Sequence, residues 1–537
     1  MGSAMHVTSF FQKKGFSFWA IILIVLVYFS ADMLHHKWMK DEAPHRGVIK
    51  HDVIGYYDYL PAVFIYGDHK LEFIGTKGFK NENRFMCIRL ENGNRLIQYT
   101  SGLSILYSPF FLLAHATAPL FGQERDGFNW VYQFFLVMSA LFYVSLGLIF
   151  LRKLMLKYFS DLHTALALLL IALGTNLFYY TVYEGPMSHS YSFAFIAIFL
   201  YLADRWYRNP GLKWTALLGL VYGMTVLIRP TNAIVLVMFI FWGIKDLKEI
   251  GPRLVFLLKK TPLILLMIFF FLIPWIPQLL YWKSITGHFF VNSYESVGSA
   301  FYFDAPQTHK MLFSYRKGWF IYTPLMFLAM AGFVFLYRQR REFFWNSLFY
   351  MTIMIYVLSS WWAWWFGGGF GSRSMVDTYA IMAFPLAAMV EKLQQLKFRL
   401  MLSGAIVMLF LVALNWLQTF QYNRGGIHFV SMDKDAYWHN YFKLKGRGVW
   451  GYLSDPDHQL ARLGIYYYYD WSYDYDAFKL QDESLAKQEI RNELTASAKT
   501  MRSIHRYARR NDISDTEALQ MVVDRIYAEK IGRKNLQ

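Results

Sequence analysis

Long apolar runs dominate this sequence and restrict the folds open to it. A segment needs about 20 mostly apolar residues to cross a bilayer, and in hydrocarbon it must satisfy its own backbone hydrogen bonds, as a helix does. The chain is 55% hydrophobic and only 17% charged, whereas soluble domains average about 25% charged residues. The sequence therefore predicts an all-α polytopic membrane protein and excludes an ordinary soluble enzyme. The eleven predicted spans are 16–30, 128–151, 163–183, 187–203, 214–228, 231–244, 261–281, 319–337, 344–360, 375–390 and 400–420.

Basic clusters between these runs predict the orientation. Lys and Arg collect on the cytoplasmic side of membrane proteins. Five clusters fall into alternate loops, which places the N-terminus inside, the C-terminus outside and any chemistry on the outer face. The net charge of +17 is explained largely by these loops, and no motif for nucleic acid is present. The clusters are Arg152/Lys153/Lys157, Arg205/Arg208/Lys213, 245–260, Arg338/Arg340/Arg341 and Lys392/Lys397/Arg399.

Two parts of the apolar sequence are harder to assign within the eleven predicted spans. The run 103–121 contains two prolines and would invert the basic loops if it crossed the membrane, so we predict that it lies in the outer interface or enters only partway. The runs 214–228 and 231–244 are short and meet at Arg229 and Pro230. They could form one interrupted helix or a hairpin of two short helices.

The predicted organisation is a transmembrane catalytic domain over 1–420 and an outer C-terminal extension over 421–537. The first outer loop, 31–127, carries interfacial helices within the first domain. The extension is Tyr-rich at first and then shows helical periodicity. Cys87 is the single cysteine and has no disulfide partner in the chain.

An acidic residue opens the first outer loop. Asp52 follows the first span and is backed by Tyr56, Tyr57 and then Asp58. A carboxylate shielded at a membrane surface can act as a general base. Asp before an apolar stretch is also a common helix N-cap, so both interpretations are open.

Two arginines lie beside predicted membrane spans, where burying a charge costs free energy. Arg229 lies at the break between two apolar runs, and Arg373 lies at the mouth of another. Guanidinium groups grip phosphate oxygens in pairs, so both are candidate ligands for a lipid phosphate. Alternatively, Arg373 snorkels to the interface, and Arg229 pairs with Glu184 or a backbone carbonyl. Gly367–Gly369, ahead of Ser372, would let the backbone approach a bulky group.

Other outer-face residues are weaker candidates for lining a site. Trp364, one of four tryptophans within residues 361–365, could stack on a sugar or sit in an aromatic belt. His189, between two serines, could line a cavity or play a structural role. No His or Cys spacing typical of a metal site is present, so no metal ligands are assigned.

These outer segments together resemble the GT-C membrane glycosyltransferases. The resemblance rests on an Asp at the start of the first outer loop, a segment ending at Gly102 before Pro109-Phe110, the Arg229-Pro-Thr-Asn break and the Gly368-Gly-Phe-Gly-Ser-Arg373 span mouth. It covers about 16–420, and the chain is most similar to protein O-mannosyltransferases and the lipid A aminoarabinose transferase.

The resemblance implies an inverting transfer of sugar from a polyprenyl phosphate, such as undecaprenyl phosphate, on the outer face of a bacterial inner membrane. The acceptor would be a lipid, glycan or protein hydroxyl. Asp52 matches the catalytic acid of the first loop, Arg373 would hold the donor phosphate with help from Arg229, and Glu184 and His189 would line the cavity. The family often has two adjacent acids, whereas the next carboxylate here is Asp58. A divalent cation is possible, and a transporter or flippase of a lipid-linked sugar is the alternative function.

Overall fold

The computed structural model describes residues 15–39, 47–76, 84–294, 298–444, 458–466 and 483–532. Within these residues the protein is mostly helical, with one small two-stranded sheet. The chain divides into two compact units. The first comprises 1–293, 319–354 and 370–420, and the second comprises 294–318, 355–369 and 421–537.

Five helical segments of the described chain are long and apolar enough to cross a membrane by length and composition. Two of them, Thr261–Thr286 and Phe398–Asn423, are also largely unburied by the protein. Exposed Leu265, Phe269 and Leu409 on these helices suit contact with lipid chains rather than water. These features indicate an integral multi-pass membrane protein. The other three segments are Phe16–Met39, Gly102–Phe121 and Trp130–Met155.

The first unit is built of helices packed in pairs, such as Trp130–Met155 against Ser188–Arg208. Gly219 and Gly223 allow a close crossing, because a Cβ at either position would lie within 2.5 Å of a backbone oxygen of the helix Thr261–Leu272. Small residues at such spacing let membrane helices approach closely. The α-helices of this unit are Phe16–His35, Asp52–Tyr57, Tyr59–Phe64, Gly102–Thr117, Trp130–Met155, Asp161–Leu173, Leu177–Val182, Ser188–Arg208, Leu212–Ile228, Leu236–Ile240, Ile250–Lys259, Thr261–Leu272, Ile276–Thr286, Trp319–Tyr322, Leu325–Gln339, Arg341–Ser359, Tyr379–Gln394 and Phe398–Asn423, of which Arg341–Ser359 and Phe398–Asn423 end within second-unit residues.

Short 3₁₀ helices and one hairpin complete the first unit. Strands Cys87–Arg89 and Arg95–Ile97 pair antiparallel, with Ile88 opposite Leu96. The 3₁₀ segments are Lys37–Met39, Ala118–Phe121, Pro230–Val235, Leu247–Glu249, Ile273–Trp275 and Arg373–Thr378.

The single span predicted over 163–183 is wrong in detail, because the chain forms two helices that are separated at Gly174–Asn176. Thr175 and Asn176 are fully buried, and their side chains bond to backbone groups: Oγ1 of Thr175 donates to the carbonyl of Ile171 and accepts from the amide of Leu177. Side chains of this type compete with helical backbone bonds and so favour a break.

The chain turns back at Arg229. This residue is extended, with φ −152° and ψ 122°, between the helix Leu212–Ile228 and the 3₁₀ segment Pro230–Val235. The hydroxyl of Tyr222 donates to the carbonyl of Ala233 at 3.1 Å, and the side-chain amide Nδ2 of Asn232 donates to the carbonyl of Thr225 at the same distance. Of the two arrangements left open by the sequence, the structure therefore has a hairpin. The predicted interfacial position of 103–121 stays a prediction, since its helix is long enough to cross.

The second unit contains a small helical core. The helices Glu483–Ala496, Ala498–Asn511 and Asp515–Gly532 pack around buried Ile490, Leu494 and Ile504. The remaining helices of the unit are Thr308–Phe313, Lys434–Asn440 and His458–Arg462. The tyrosine-rich stretch predicted around 466–471 lies, from 467 onward, outside the described residues.

Candidate active site

Asp52 and Arg373 contact each other directly. Oδ2 of Asp52 lies 2.9 Å from Nη2 of Arg373, although the two residues are far apart in sequence. Asp52 is the first residue of the helix Asp52–Tyr57, and its side chain caps no amide there, because the N-cap position is His51. The N-cap interpretation is therefore wrong, and the carboxylate is available to partners outside its helix.

The charge of Arg373 controls the ionisation of Asp52. Burial by itself would raise the pKa of this carboxyl, but the Arg373 charge, together with hydrogen bonds from Tyr99 and Arg373, outweighs burial and holds the pKa below its usual value. Asp52 is therefore ionised at neutral pH. Its side chain is 25% exposed and that of Arg373 is 16% exposed, so the pair is partly accessible.

Two buried serine hydroxyls flank Arg373. The Oγ atoms of Ser372 and Ser374 have no hydrogen-bond partner among the described residues. Buried hydroxyls nearly always donate to an acceptor. Both hydroxyls therefore lack the acceptor that a buried serine normally has.

Arg229 forms a second pair, with Asp377, in which Asp377 is fully buried and the Arg229 side chain is 14% exposed. Nη1 of Arg229 donates to Oδ2 of Asp377 at 2.6 Å, and Nδ1 of His189 lies 3.0 Å from that guanidinium nitrogen and 3.2 Å from Oδ1 of Asp377. The alternative in which Arg229 pairs with Glu184 is therefore wrong. Close packing of the 100–102 segment on the chain just before Arg229 fixes its position, since Oγ1 of Thr100 donates to the carbonyl of Leu227 at 2.6 Å.

Tyr56 connects the two pairs electrostatically. Burial and then the charge of Asp52 raise the pKa of its hydroxyl, while the charges of Arg229 and Arg373 oppose them. Its ring lies 4.5 Å from that of Tyr99. The structure thus brings Asp52, Arg373, Arg229, His189 and Tyr56 together.

Glu184 belongs to a neighbouring cluster. Its carboxylate lies 3.1 Å from Nζ of Lys50 and accepts from the hydroxyl of Tyr179 at 3.4 Å. Burial would raise its pKa, but the charges of Lys50 and Lys37 lower it overall. Glu184 therefore pairs with Lys50, which lies two residues before Asp52 in the chain.

Asp58 and Tyr57 are placed in the interior of the first loop. Asp58 is fully buried, and Oδ2 accepts from the amide of Met86 at 2.7 Å. Burial raises the pKa of this carboxyl well above its usual value. The Tyr57 hydroxyl donates to the carbonyl of Gly127. These contacts favour a structural role for Asp58, which holds the loop in place, over a role as a second catalytic acid.

Trp364 belongs to the second unit, whereas Phe370 and the residues that follow it belong to the first. Its buried ring lies edge-on to Trp365 at 5.7 Å, and Nζ of Lys310 lies 6.0 Å from its centroid. Within the same unit, the buried ammonium of Lys317 donates to the carbonyls of Gly369 and Phe429. The role of Trp364 as a sugar platform stays a prediction.

The residues around Asp52 do not fit a divalent cation. The closest charged group to its carboxylate is Arg373, and no three His, Cys, Asp or Glu side chains come together in the described ranges. Such ions prefer several oxygen ligands at one point.

Sequence reasoning missed Asp377, Lys50 and Tyr99. Asp377 lies inside the apolar run 375–390, and a carboxylate within a predicted span is itself a sign of a buried partner or functional site. Lys50 and Tyr99 carry no such signal, because Lys and Tyr are ordinary at a membrane interface.

Comparison with known proteins gives limited similarity. The sequence matches no family model, and no curated protein matches it. The crystal structure of the Archaeoglobus fulgidus oligosaccharyltransferase in the apo form superposes with a TM-score of 0.43 and 13% identity, over 88% of this chain and 59% of the other. The archaeal oligosaccharyltransferase AglB from the same organism, in complex with an inhibitory peptide and a dolichol-phosphate, gives a TM-score of 0.42 and 12% identity, over 89% and 59%. This chain spans about three fifths of the length of those proteins.

Proposed function

We propose that the protein is a membrane glycosyltransferase that moves a sugar from a polyprenyl phosphate to a hydroxyl acceptor on the outer face of a bacterial inner membrane. The observation that carries the proposal is the contact of Asp52 with Arg373, beside the second pair of Arg229 and Asp377. An ionised carboxylate next to fixed cations supplies both a proton acceptor and a site for a phosphate leaving group. The motif resemblance to GT-C enzymes points to the same chemistry.

In the proposed reaction, the acceptor hydroxyl gives its proton to Asp52. Its oxygen forms a bond to the anomeric carbon of the sugar while the bond from that carbon to the phosphate oxygen breaks. The electron pair leaves with the polyprenyl phosphate, whose charge Arg373 stabilises. Attack opposite the leaving group inverts the anomeric centre, and no covalent enzyme intermediate forms.

The flanking serines support phosphate as the ligand of Arg373. Ser372 and Ser374 have two buried hydroxyls that need acceptors, and the phosphodiester of the donor offers two non-bridging oxygens, each of which can accept more than one hydrogen bond. A guanidinium binds two of those oxygens in parallel. The acceptor in this proposal is a lipid, glycan or protein hydroxyl, and the lipid chain of the donor lies among membrane lipids.

A transporter or flippase of lipid-linked sugar is the second candidate, because Asp377 is fully buried within a predicted span and pairs with Arg229, as ionisable groups of transporters do. The two functions make opposite predictions. A transporter moves labelled lipid-linked sugar across proteoliposomes and leaves the glycosyl phosphate bond intact, whereas a transferase consumes that bond.

The test is incubation of purified protein, in native-like membranes, with a panel of radiolabelled polyprenyl-phosphate sugars and acceptor extracts. We expect one donor to give labelled product, and Asp52→Asn to lower the rate by about 10²–10⁴-fold. The matched control is Glu391→Gln, which breaks a similarly exposed ion pair with Arg340 and is expected to keep the rate. The proposal fails if no donor is consumed, or if Asp52→Asn transfers sugar at the full rate.

A further inference from the structure

The two arginine–carboxylate pairs differ in how freely they can exchange partners. Asp52 is 25% exposed and has Tyr99 as a further hydrogen-bond donor. Asp377 is fully buried, and its two oxygens face Arg229 and His189. The carboxylate of the Asp52–Arg373 pair is therefore open to other partners, whereas the carboxylate of the Asp377–Arg229 pair is closed to them.

This difference determines which arginine an incoming anion can take. Separating Arg229 from Asp377 would leave a fully buried carboxylate without its cation, which is among the most costly changes in a protein interior. Separating Arg373 from Asp52 leaves a carboxylate that water and Tyr99 can still solvate. An anion that enters the cluster therefore competes with Asp52 for Arg373 and leaves the buried pair intact.

We infer that Asp377 and His189 are positioning residues that hold Arg229 in place. Arg373 alone then exchanges its partner, from the Asp52 carboxylate to the donor phosphate, and this exchange releases Asp52 to act as the base. The inference rests on the proposed transferase function and deepens it. Donor binding activates the proton acceptor, while the locked Arg229 contributes its charge to the leaving phosphate from a fixed position. Without donor, Asp52 is held by Arg373 and is a weak base.

The exchange has consequences for the pH dependence. The groups that face Asp52 are Arg373, Tyr99, His189 and Tyr56. With Arg373 as its partner, the carboxylate has a pKa below its usual value. Once a phosphate takes Arg373, Asp52 loses this partner and gains an anionic neighbour, and its affinity for a proton rises. The acid limb of kcat should therefore lie at higher pH than the acid limb of kcat/KM, because the first reports the bound enzyme and the second the free enzyme.

Binding of a short-chain isoprenyl phosphate to the purified full-length protein tests the division of roles between the arginines. Arg373→Gln is expected to weaken binding by about 30-fold or more. The neutral exchange Arg229→Gln/Asp377→Asn is expected to keep binding within about threefold while lowering kcat, since it removes a closed pair without leaving a lone charge. The matched control is Arg340→Gln/Glu391→Gln, a pair outside the site.

Equal weakening by Arg373→Gln and by the Arg229/Asp377 double variant would overturn the inference, because both arginines would then bind phosphate. If the double variant fails to fold, the two acid limbs measured on the wild-type protein decide, and coincident limbs refute the release of Asp52. Failure of the proposed function has a different signature: the wild-type protein would bind isoprenyl phosphate without transferring sugar from any donor.

Discussion

Gly102 offers the most quantitative test of how the site is held in place. A Cβ at this position would lie 2.5 Å from the carbonyl carbon and oxygen of Leu227 and 2.7 Å from the nitrogen of Ile228. These are backbone atoms, which cannot rotate away, and the next residue is Arg229. Ordinary contact begins at about 3.4 Å, so Gly102→Ala must displace one segment by roughly 0.9 Å.

Forcing one carbon into such a close-packed contact costs about 1–3 kcal/mol. Alanine in place of glycine near a helix start returns at most about 1 kcal/mol through backbone entropy. We therefore expect Gly102→Ala to destabilise the protein by a net amount of roughly 1–2 kcal/mol. Because Arg229 adjoins the displaced backbone, kcat should fall more than donor binding does.

The assay is unfolding of the purified protein in detergent, followed in parallel with sugar transfer. The matched control is Gly251→Ala, since this helical glycine has no heavy atom within 4 Å of the added Cβ, and it should be neutral or stabilise by up to about 1 kcal/mol. If Gly102→Ala is as stable and as active as Gly251→Ala, the argument from backbone contact is refuted.

Three further predictions concern other parts of the chain. Burial raises the pKa of Asp58, so this carboxyl contributes its full stability only below its unfolded pKa. The contribution is lost as pH rises, by up to about 1.4 kcal/mol per pH unit. In unfolding measurements, the Asp58→Asn variant should therefore be more stable than the wild-type protein at pH 8 and lose this advantage near pH 4. The Glu184 carboxyl has a lowered pKa and stabilises above its unfolded value, so Lys50→Gln should flatten the loss of stability on acidification from pH 5 to 3. In the second unit, Ile504→Ala should cost about 2–5 kcal/mol, whereas Leu485→Ala, which is 60% exposed, should cost under about 0.5 kcal/mol in the same thermal scans.

The apolar runs alone predicted most helices, because a chain in hydrocarbon must satisfy its backbone within each segment. Their interruptions were harder to predict. At the break Gly174–Asn176, the side-chain oxygen of Asn176 accepts from the hydroxyl of Thr323 at 3.4 Å and also from the hydroxyl of Tyr379. Those partners come from distant segments, so the local pattern carries no trace of them.

The candidate charges could likewise be read from the sequence. Asp52, Arg229 and Arg373 stand out because charged groups near hydrocarbon are rare and need a reason. Their partners could not be read in the same way. Arg229 lies 148 residues from Asp377 in sequence, and the sequence suggested Glu184 instead, which the fold gives to Lys50.

The sequence by itself thus determined where a charge is costly, since that depends only on the apolar segments around it. Only the tertiary structure decided how each charge is compensated, because a buried ion pair depends on atoms a few ångströms apart on separate helices. The exposure of each pair is also a tertiary property. It makes Asp52 exchangeable and Asp377 fixed, although both are the same kind of residue.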